Sequence, residues 1–535
     1  MQTVTILRLM PAADPLAPAE TRYLDARDLV DRLELGQARG LLPPDLATRA
    51  GAAVDAAADA LARVDTAPGE GVDRHALAVM RAWLPEGQAA VAAGGPAGDG
   101  TADREPDGFD VRSEQIMARY SAEQAVVAVG GATMTRLAVL GRLAVEPSAA
   151  TRRELFRALE PVWRTVDGNG DADSPYRWLL ELSVARWASG RSPVAANARA
   201  LGLDPDAIEP SLVGILDAWR FATGAESARS IEPWDWWYRA GAADRALEPA
   251  IPLIRIRPLT DAYHAALGAD PAALGIGYDV EPRPDRPPVP VAYTTFGGRP
   301  RRRPDGGWVR AEPWVLGTYT RGGLGELTEL IHETGHGIHV AAIRTRPAFA
   351  DWPDSDAFTE ALAELTALDT AEPAWQQHWL GTSVPAADAL HGRYADVVLD
   401  VCWALFEIRM HADPQLRPND VWTELTSRYL GIAPHPEWSW WAMRGQLVQE
   451  PGYMVNYAIG PILAADLRAA IRAACGDWVA GDPGWYPWVS ERIYRFGLER
   501  PSGDVLREVL GRAPTPDALL AEIGRAAGPA VARTR

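Results

Sequence analysis

Residues 331–339 read Ile-His-Glu-Thr-Gly-His-Gly-Ile-His and contain the pattern H-E-x-x-H. On an α-helix, positions four apart lie on one face, one turn above the other. His332 and His336 can therefore direct two imidazoles at one ion, and Glu333 can reach a water bound to it. Two His ligands with a Glu general base are typical of zinc hydrolases. The motif predicts one Zn²⁺ per chain and a hydrolytic reaction.

The residues around the motif predict that it lies on a buried helix. Apolar side chains precede and follow it at helical spacing: Leu324, Leu327, Leu330, Ile331, Ile338, Val340 and Ile343. This periodicity predicts one helix over residues 322–344. Gly335 inside a helix costs about 1 kcal/mol relative to Ala. We therefore expect it to allow another backbone to approach closely near the metal.

A second helical pattern, over residues 356–368, supplies the candidate third ligand. Glu360 follows His332 by 28 positions (360 − 332) and stands in an otherwise apolar helix. Burial of a Glu is costly unless it is paired or bound to a metal. Glu364, one turn later, could accept a hydrogen bond from the far nitrogen of a ligand His and fix its tautomer. The alternative is that both carboxylates face water.

Residues 452–461 contain two tyrosines at helical spacing. Tyr453 and Tyr457 are four apart and would lie on one face of a helix start. A phenol near the metal can donate a hydrogen bond to the oxyanion of a tetrahedral intermediate. Packing in the core is the alternative role for both rings.

Several of these segments resemble known zinc peptidases. Residues 332–339 and 358–361 resemble the zinc helix and the third-ligand helix of the thimet oligopeptidase and oligopeptidase F family, and residues 360–364 resemble the matching helix of angiotensin-converting enzyme. Residues 452–461 are similar to the tyrosine loop of thimet oligopeptidase, of oligopeptidase F and of the thermostable zinc carboxypeptidases. The resemblance covers residues 230–525. It implies a mainly α, two-lobed helical fold with a deep central cleft, and a catalytic role for Tyr457 ahead of Tyr453.

The chain departs from that family at one donor. Thimet oligopeptidase and angiotensin-converting enzyme carry a His shortly before the catalytic Tyr, and it also donates to the oxyanion. Here Gln446 and Gln449 occupy this region, and the nearest upstream His is His435. His435, Arg444 or one of the two Gln residues could substitute, or the donor is missing. Loss of one such donor costs typically ~2.7–4 kcal/mol of transition-state stabilisation.

The segment 285–320 departs from the helical pattern of the rest. Apolar and polar residues alternate on both sides of a Gly- and Pro-containing turn that begins with three arginines, 301–303. This predicts a small β-ribbon beside the site, with the arginines at an exposed tip. A strand edge there could pair with an extended substrate. We divide the chain into an N-terminal helical region, 1–229, and a catalytic region, 230–535, as the two lobes of one unit.

Composition limits the partners. The 535 residues are 47% hydrophobic with a formal net charge of −18. An acidic chain lacks the basic surface of a nucleic-acid binder, and no run approaches the ~20 apolar residues of a membrane span. Cys402 and Cys475 are expected to be free thiols in a reducing compartment, and Met1 to Leu16 lacks a basic leader with an apolar run. We expect a soluble cytoplasmic monomer or homodimer.

Together these features predict a zinc peptidase that acts on short peptides. Two alternatives stay open: a dedicated biosynthetic hydrolase or carboxypeptidase for one specific peptide or amide, and a non-catalytic peptide-binding protein on this scaffold. Glu333 argues against the second, because binding alone does not need a general base. The absent oxyanion His argues weakly for it.

Overall fold

The computed structural model describes residues 16–64, 71–93, 108–167, 174–188, 190, 192–224, 230–283, 288–289 and 291–526. Helices α1 to α24 span, in order, Ala17–Arg39, Leu46–Ala62, Gly71–Ala93, Gly108–Ala125, Arg136–Val145, Ala149–Ala158, Glu160–Asp167, Pro175–Ala188, Pro193–Ala200, Ile208–Thr223, Asp235–Ala240, Ala242–Leu247, Leu253–Ala266, Pro271–Leu274, Gly323–Ala342, Asp356–Ala367, Pro373–Leu380, Ala386–Ala412, Pro418–Leu430, Gln446–Gln449, Met454–Cys475, Trp485–Arg492, Ser502–Leu510 and Asp517–Ala526. Strands β1 to β7 are Val127–Val129, Ala132–Met134, Gly277–Asp279, Tyr293–Gly298, Arg301–Arg302, Trp308–Val309 and Glu312–Leu316. The prediction of a mainly α fold is confirmed.

Most buried apolar side chains belong to one core, which extends from Phe109 in α4 to Ile523 in α24. Indole rings from distant helices meet in it; those of Trp422 and Trp440 have centroids 4.7 Å apart. The core includes residues on both sides of position 229, and the proposed division at that position stays a prediction. Cys402 and Cys475 are both free.

A smaller core joins helices α1, α2 and α3 to Ala348 and Phe349. In α2 the buried residues are Leu46, Ala50, Val54, Ala57 and Leu61, the spacing of one helical face. This cluster lies against the segment that connects α15 to α16. The N-terminal helices therefore contact the part of the chain that precedes the third-ligand helix.

A buried arginine ties this N-terminal cluster to the sheet. The Arg299 side chain, 3% exposed, donates from Nε to Asp31 Oδ2 at 2.6 Å and lies 3.1 Å from Asp351. Its backbone N–H donates to Asp28 at 2.7 Å. Arg301, predicted at an exposed tip, also pairs with Asp28. The network joins α1, the end of β4 and the approach to α16.

The predicted β-ribbon is present, with two strands beyond those predicted: β3, and β5, which lies within the predicted turn. Strands β4 and β7 pair antiparallel, and β5 and β6 form a small hairpin between them. Strand β3 adds a parallel partner to β7, giving the order β3-β7-β4. Residues 277–279 escaped prediction because three residues are too few to show an alternation. Positions 285–287 and 290 of the predicted ribbon segment lie outside the described residues.

Helix α16 packs against both α15 and α21, and these three helices carry the candidate site. The helix predicted over 322–344 is α15, Gly323–Ala342. A Cβ at Gly335 would lie 2.9 Å from the backbone oxygen of Ala363 in α16. The expected close approach of a second backbone at Gly335 is therefore confirmed. Across the described ranges, every helix is too short or too polar to traverse a bilayer.

Candidate metal centre

The two histidines of α15 and a carboxylate of α16 converge on one point. Nε2 of His332 lies 3.4 Å from Oε2 of Glu360, and Nε2 of His336 lies 3.8 Å from its Oε1. One ligand atom from each residue lies within 4.8 Å of the other two. Two imidazole nitrogens and one carboxylate oxygen are the donor set of a catalytic zinc site that keeps a position open. The residues present fit that ion.

Glu360 is half-exposed, with 50% of its side chain accessible, although its helix neighbours Ala357 and Ala361 are buried. It lines a cavity of about 620 Å³ together with His332. From the sequence, Glu360 was either a metal ligand or a carboxylate facing water. In the structure its carboxylate is accessible from the cavity and also lies next to both histidines.

Glu364 fixes the orientation of one imidazole. Nδ1 of His332 donates to Oε1 of Glu364 at 3.0 Å, which leaves Nε2 for the side of Glu360. Although burial alone would lower it, hydrogen bonds to Glu360 and Glu364 raise the pKa of His332 well above its ordinary value. Burial lowers the pKa of His336 to about 3, so this ring is a neutral ligand at pH 7.

The Glu333 carboxylate is buried beside this cluster and held by the sheet. The hydroxyl of Thr294 in β4 lies 2.7 Å from Oε2 of Glu333 and 2.8 Å from its backbone oxygen. Burial raises the pKa of Glu333. Sequence reasoning missed Thr294; its only signal was its place in the alternating strand, next to the predicted site.

Both predicted tyrosines line the cavity at the start of α21. Their rings are 5.3 Å apart and nearly perpendicular. Burial raises the pKa of Tyr457, while Arg444 and a hydrogen bond with Gln446 act in the opposite direction. Both phenols are thus protonated donors at neutral pH.

A buried glutamate supports the turn that carries Tyr453. Glu407 in α18 is 1% exposed and accepts hydrogen bonds from the backbone N–H groups of Gly452 at 2.6 Å and Met454 at 3.2 Å. Glu407 thus accepts hydrogen bonds from the backbone N–H groups of the residues immediately before and after Tyr453. Nothing in the sequence near residue 407 indicated this contact, because the partners are far apart in the chain.

The four candidate residues for the missing oxyanion donor lie in different parts of the structure. Arg444 and Gln446 lie against Tyr457, and Arg444 forms an ion pair with Asp400. Gln449 is exposed at the end of α20 and does not line the cavity.

His435 belongs to a separate cluster. Its Nδ1 lies 2.8 Å from Glu437 and its Nε2 2.9 Å from Glu232, while the ring stacks on Trp438. Both ring nitrogens are engaged by carboxylates outside the cavity lining. The structure does not bring His435 to the metal centre.

No protein-family model and no curated protein matches the chain. Among solved structures, the fold is similar to that of the M32 carboxypeptidase from Deinococcus radiodurans R1, with a TM-score of 0.54 and 16% identity. The match covers 95% of this chain and 98% of that chain. The likeness shows a shared fold over nearly the full length. It does not single out the thimet oligopeptidase or oligopeptidase F family.

Proposed function

We propose that the chain is a zinc-dependent peptidase that hydrolyses short peptides in the cavity beside His332, His336 and Glu360. The observation that carries this proposal is the convergence of these three ligands next to a buried carboxylate that is itself held in place. The similarity in fold to a metallopeptidase supports it. A cavity of about 620 Å³ accommodates a peptide of a few residues and no folded domain.

In the proposed reaction each residue has one task. Zinc bound at this site supplies a Lewis acid and lowers the pKa of a coordinated water toward ~7. Glu333, oriented by Thr294, accepts the proton of the attacking water and then delivers it to the leaving amine. Tyr457 donates a hydrogen bond to the carbonyl oxygen as negative charge develops on it. Glu364 keeps the ligating nitrogen of His332 aimed at the ion.

Cleavage of one residue from the carboxyl end is the second candidate mode. It is favoured by the similarity in fold to a carboxypeptidase. A dedicated biosynthetic hydrolase for one peptide or amide would use the same residues. A non-catalytic binding role is disfavoured by the contact between Thr294 and Glu333, which orients a group that binding does not require.

The first prediction separates metal binding from turnover. Glu333→Gln should retain one zinc per chain and lose at least about a hundredfold in kcat, because general acid–base catalysis contributes typically 10²–10⁴-fold. Metal analysis and mass analysis of a digested peptide mixture, with and without chelator, measure both quantities. Peptides with free and amidated carboxyl ends distinguish the two modes of cleavage.

The matched control is Glu114→Gln, which changes an exposed carboxylate on α4. It should cleave like the parent protein. Full turnover in Glu333→Gln, or cleavage that chelation does not reduce, would contradict the proposed mechanism.

A further inference from the structure

Helix α18 presents two carboxylates to the cavity, Asp396 and Asp400, one turn apart on the same face. Asp400 is paired with Arg444. Within the described part of the chain, Asp396 has no hydrogen bond and no ion pair. The Asp396 side chain is accessible from the cavity. The surrounding protein raises the pKa of Asp396, and it raises the pKa of Asp400 to about 6. A carboxylate with no hydrogen bond and no ion pair in the described chain is thus exposed on the cavity wall.

The rest of the cavity wall adds to this negative charge. Glu329 on α15 also lines it without a hydrogen bond or an ion pair among the described residues. Of the two arginines that line it, Arg393 is already held by Glu372 at 2.8 Å and Glu522 at 2.7 Å. Arg321 is then the other arginine of the lining, and with the zinc ion of the proposed site it supplies the counter-charge at the cavity surface. A cavity of this sign attracts cations and repels anions.

The α18 pair faces the same cavity as the candidate site. Asp396 and Asp400 line it together with Tyr457 and the candidate metal ligand Glu360. A second metal ion is a poor occupant, because the one His/Asp/Glu group with ligand spacing in the described chain is that of His332. An organic cation, an ammonium or a guanidinium, needs only one or two carboxylates.

We propose that Asp396, with Asp400 beside it, binds a cationic group of the substrate, and that the protein therefore prefers peptides with a positive charge close to the cleaved bond. The inference rests on the proposed peptidase function and names its substrate class. The cation can be a Lys or Arg side chain or a free N-terminal ammonium, since all three make the same charge-assisted hydrogen bonds.

The test compares peptides that differ only in charge. Each peptide carries Lys or its neutral analogue norleucine beside the cleaved bond, and each is prepared with a free and with an acetylated N-terminus. The parent protein should favour a cationic member by about tenfold in kcat/KM, with the difference mainly in KM. A higher kcat/KM for the free than for the acetylated peptides assigns the preference to the N-terminus; a higher kcat/KM for Lys than for norleucine that persists after acetylation assigns it to the side chain. The inference is overturned if the Lys-to-norleucine ratio and the free-to-acetylated ratio of kcat/KM are both near one.

Asp396→Asn should reduce this preference by about tenfold and leave cleavage of the neutral, acetylated peptide within about twofold, because a hydrogen bond to a charged group is replaced by a neutral one. Asp388→Asn on the same helix changes an exposed carboxylate outside the cavity and should keep the preference. Thermal unfolding checks the fold; Asp396→Asn should be no less stable than the parent, because an unpaired charge is removed. An unchanged preference in folded Asp396→Asn refutes the assignment.

A binding measurement keeps this inference separate from the proposed function. Calorimetry with Glu333→Gln gives the Kd of the Lys and norleucine peptides, each with a free and with an acetylated N-terminus, without turnover. Tighter binding of the cationic member of either comparison, abolished by the added Asp396→Asn change, supports the inference even if no peptide is cleaved. Equal Kd values in both comparisons contradict it, whereas absence of cleavage by the parent protein contradicts only the peptidase proposal.

Discussion

The Thr294 hydroxyl reaches Glu333 from a strand that lies 39 positions earlier in the chain. It fixes one oxygen of the carboxylate and leaves the other free for a water. A glutamate carboxylate is oriented by three rotatable side-chain bonds and would otherwise lose its orientation, and misplacement of a catalytic group by a small distance reduces the rate. Thr294 is thus a positioning residue that acts through Glu333.

Thr294→Val keeps the shape of the side chain and removes the donor. We expect kcat to fall by about tenfold, since a hydrogen bond to a charged group contributes ~1.5–3 kcal/mol and 1.4 kcal/mol corresponds to a factor of ten. KM and zinc content should change little. Thr295→Val is the matched control, because successive side chains of a strand point to opposite faces. Equal kcat values for the two variants would show that the contact has no catalytic role.

At the scale of single residues, the sequence predicted which side chains lie together where the chain is locally regular. His332, His336, Glu360 and Glu364 could be placed because a helix fixes which side chains share a face. Thr294 and Glu407 could not, because each contacts a residue remote in sequence. The expectation for His435 had the same weakness: it relied on distance along the chain, whereas His435 is held by Glu232, which no local pattern reveals.

The spacing of α15 and α16 depends on the absence of a side chain at Gly335. Gly335→Ala should gain about 1 kcal/mol in helix propensity and lose more, because its methyl would lie 2.9 Å from the Ala363 carbonyl. Overpacking of this kind costs typically 1–3 kcal/mol. Zinc affinity should also fall, because Glu360 moves with α16. Urea unfolding and zinc titration measure the two effects.

Gly325→Ala is the control on the same helix, since its Cβ would meet nothing closer than 4.0 Å. It should stabilise the protein by about 0.4–1 kcal/mol, because alanine reduces the conformational entropy of the unfolded chain. Gly335→Ala with unchanged zinc affinity would mean that α16 tolerates the shift.

The contact of α18 with the tyrosine turn predicts a dependence of stability on pH. Burial raises the pKa of Glu407 from 4.5 to about 8, against the opposing effect of the Gly452 and Met454 N–H groups. Below pH 4.5 the acid is protonated in both the folded and the unfolded state. Between pH 4.5 and about 8 the folded state holds one proton more, so this contribution to stability is lost as pH rises, by up to about 1.4 kcal/mol per pH unit.

Glu407→Gln mimics the neutral acid and lacks this titration. Relative to the parent protein, its free energy of unfolding should therefore increase between pH 5 and pH 8, as measured by urea unfolding at both values. Parallel behaviour of the two proteins would show that Glu407 is ionised throughout.

At the scale of helices and strands, most elements were predictable, because long amphipathic periods are visible in sequence. Strand β3 was not predictable, because its pairing is set by β7.

At the scale of the whole molecule, Arg299 connects parts of the chain that the sequence treats as separate. Its guanidinium compensates Asp31 on α1 and Asp351 before α16. Although burial alone would raise it, Arg27 and Arg299 hold the pKa of Asp351 below its ordinary value. From sequence, Arg299 is one of several arginines near a predicted turn, and only the fold distinguishes it from exposed Arg303.

Arg299→Met should reduce the free energy of unfolding by about 3–5 kcal/mol, since it leaves the buried Asp31 without its ion-pair partner and leaves Asp351 with Arg27 alone. Arg303→Met makes the same change at the exposed hairpin tip and should have little effect. Urea unfolding of both variants is the measurement. A loss below about 1 kcal/mol for Arg299→Met would indicate that water compensates the carboxylates.

The Arg299 network has a practical consequence for any attempt to express the two halves of the chain separately. A fragment beginning at residue 230 would retain Arg299 and Asp351 but lack Asp28 and Asp31, and would uncover the apolar face of Ala348 and Phe349. Such a fragment would carry every candidate metal ligand and still present an aggregation-prone, charge-imbalanced surface just ahead of Glu360. Co-expression of the fragment with the N-terminal piece would restore both the missing carboxylates and the apolar cover, which truncation alone cannot do.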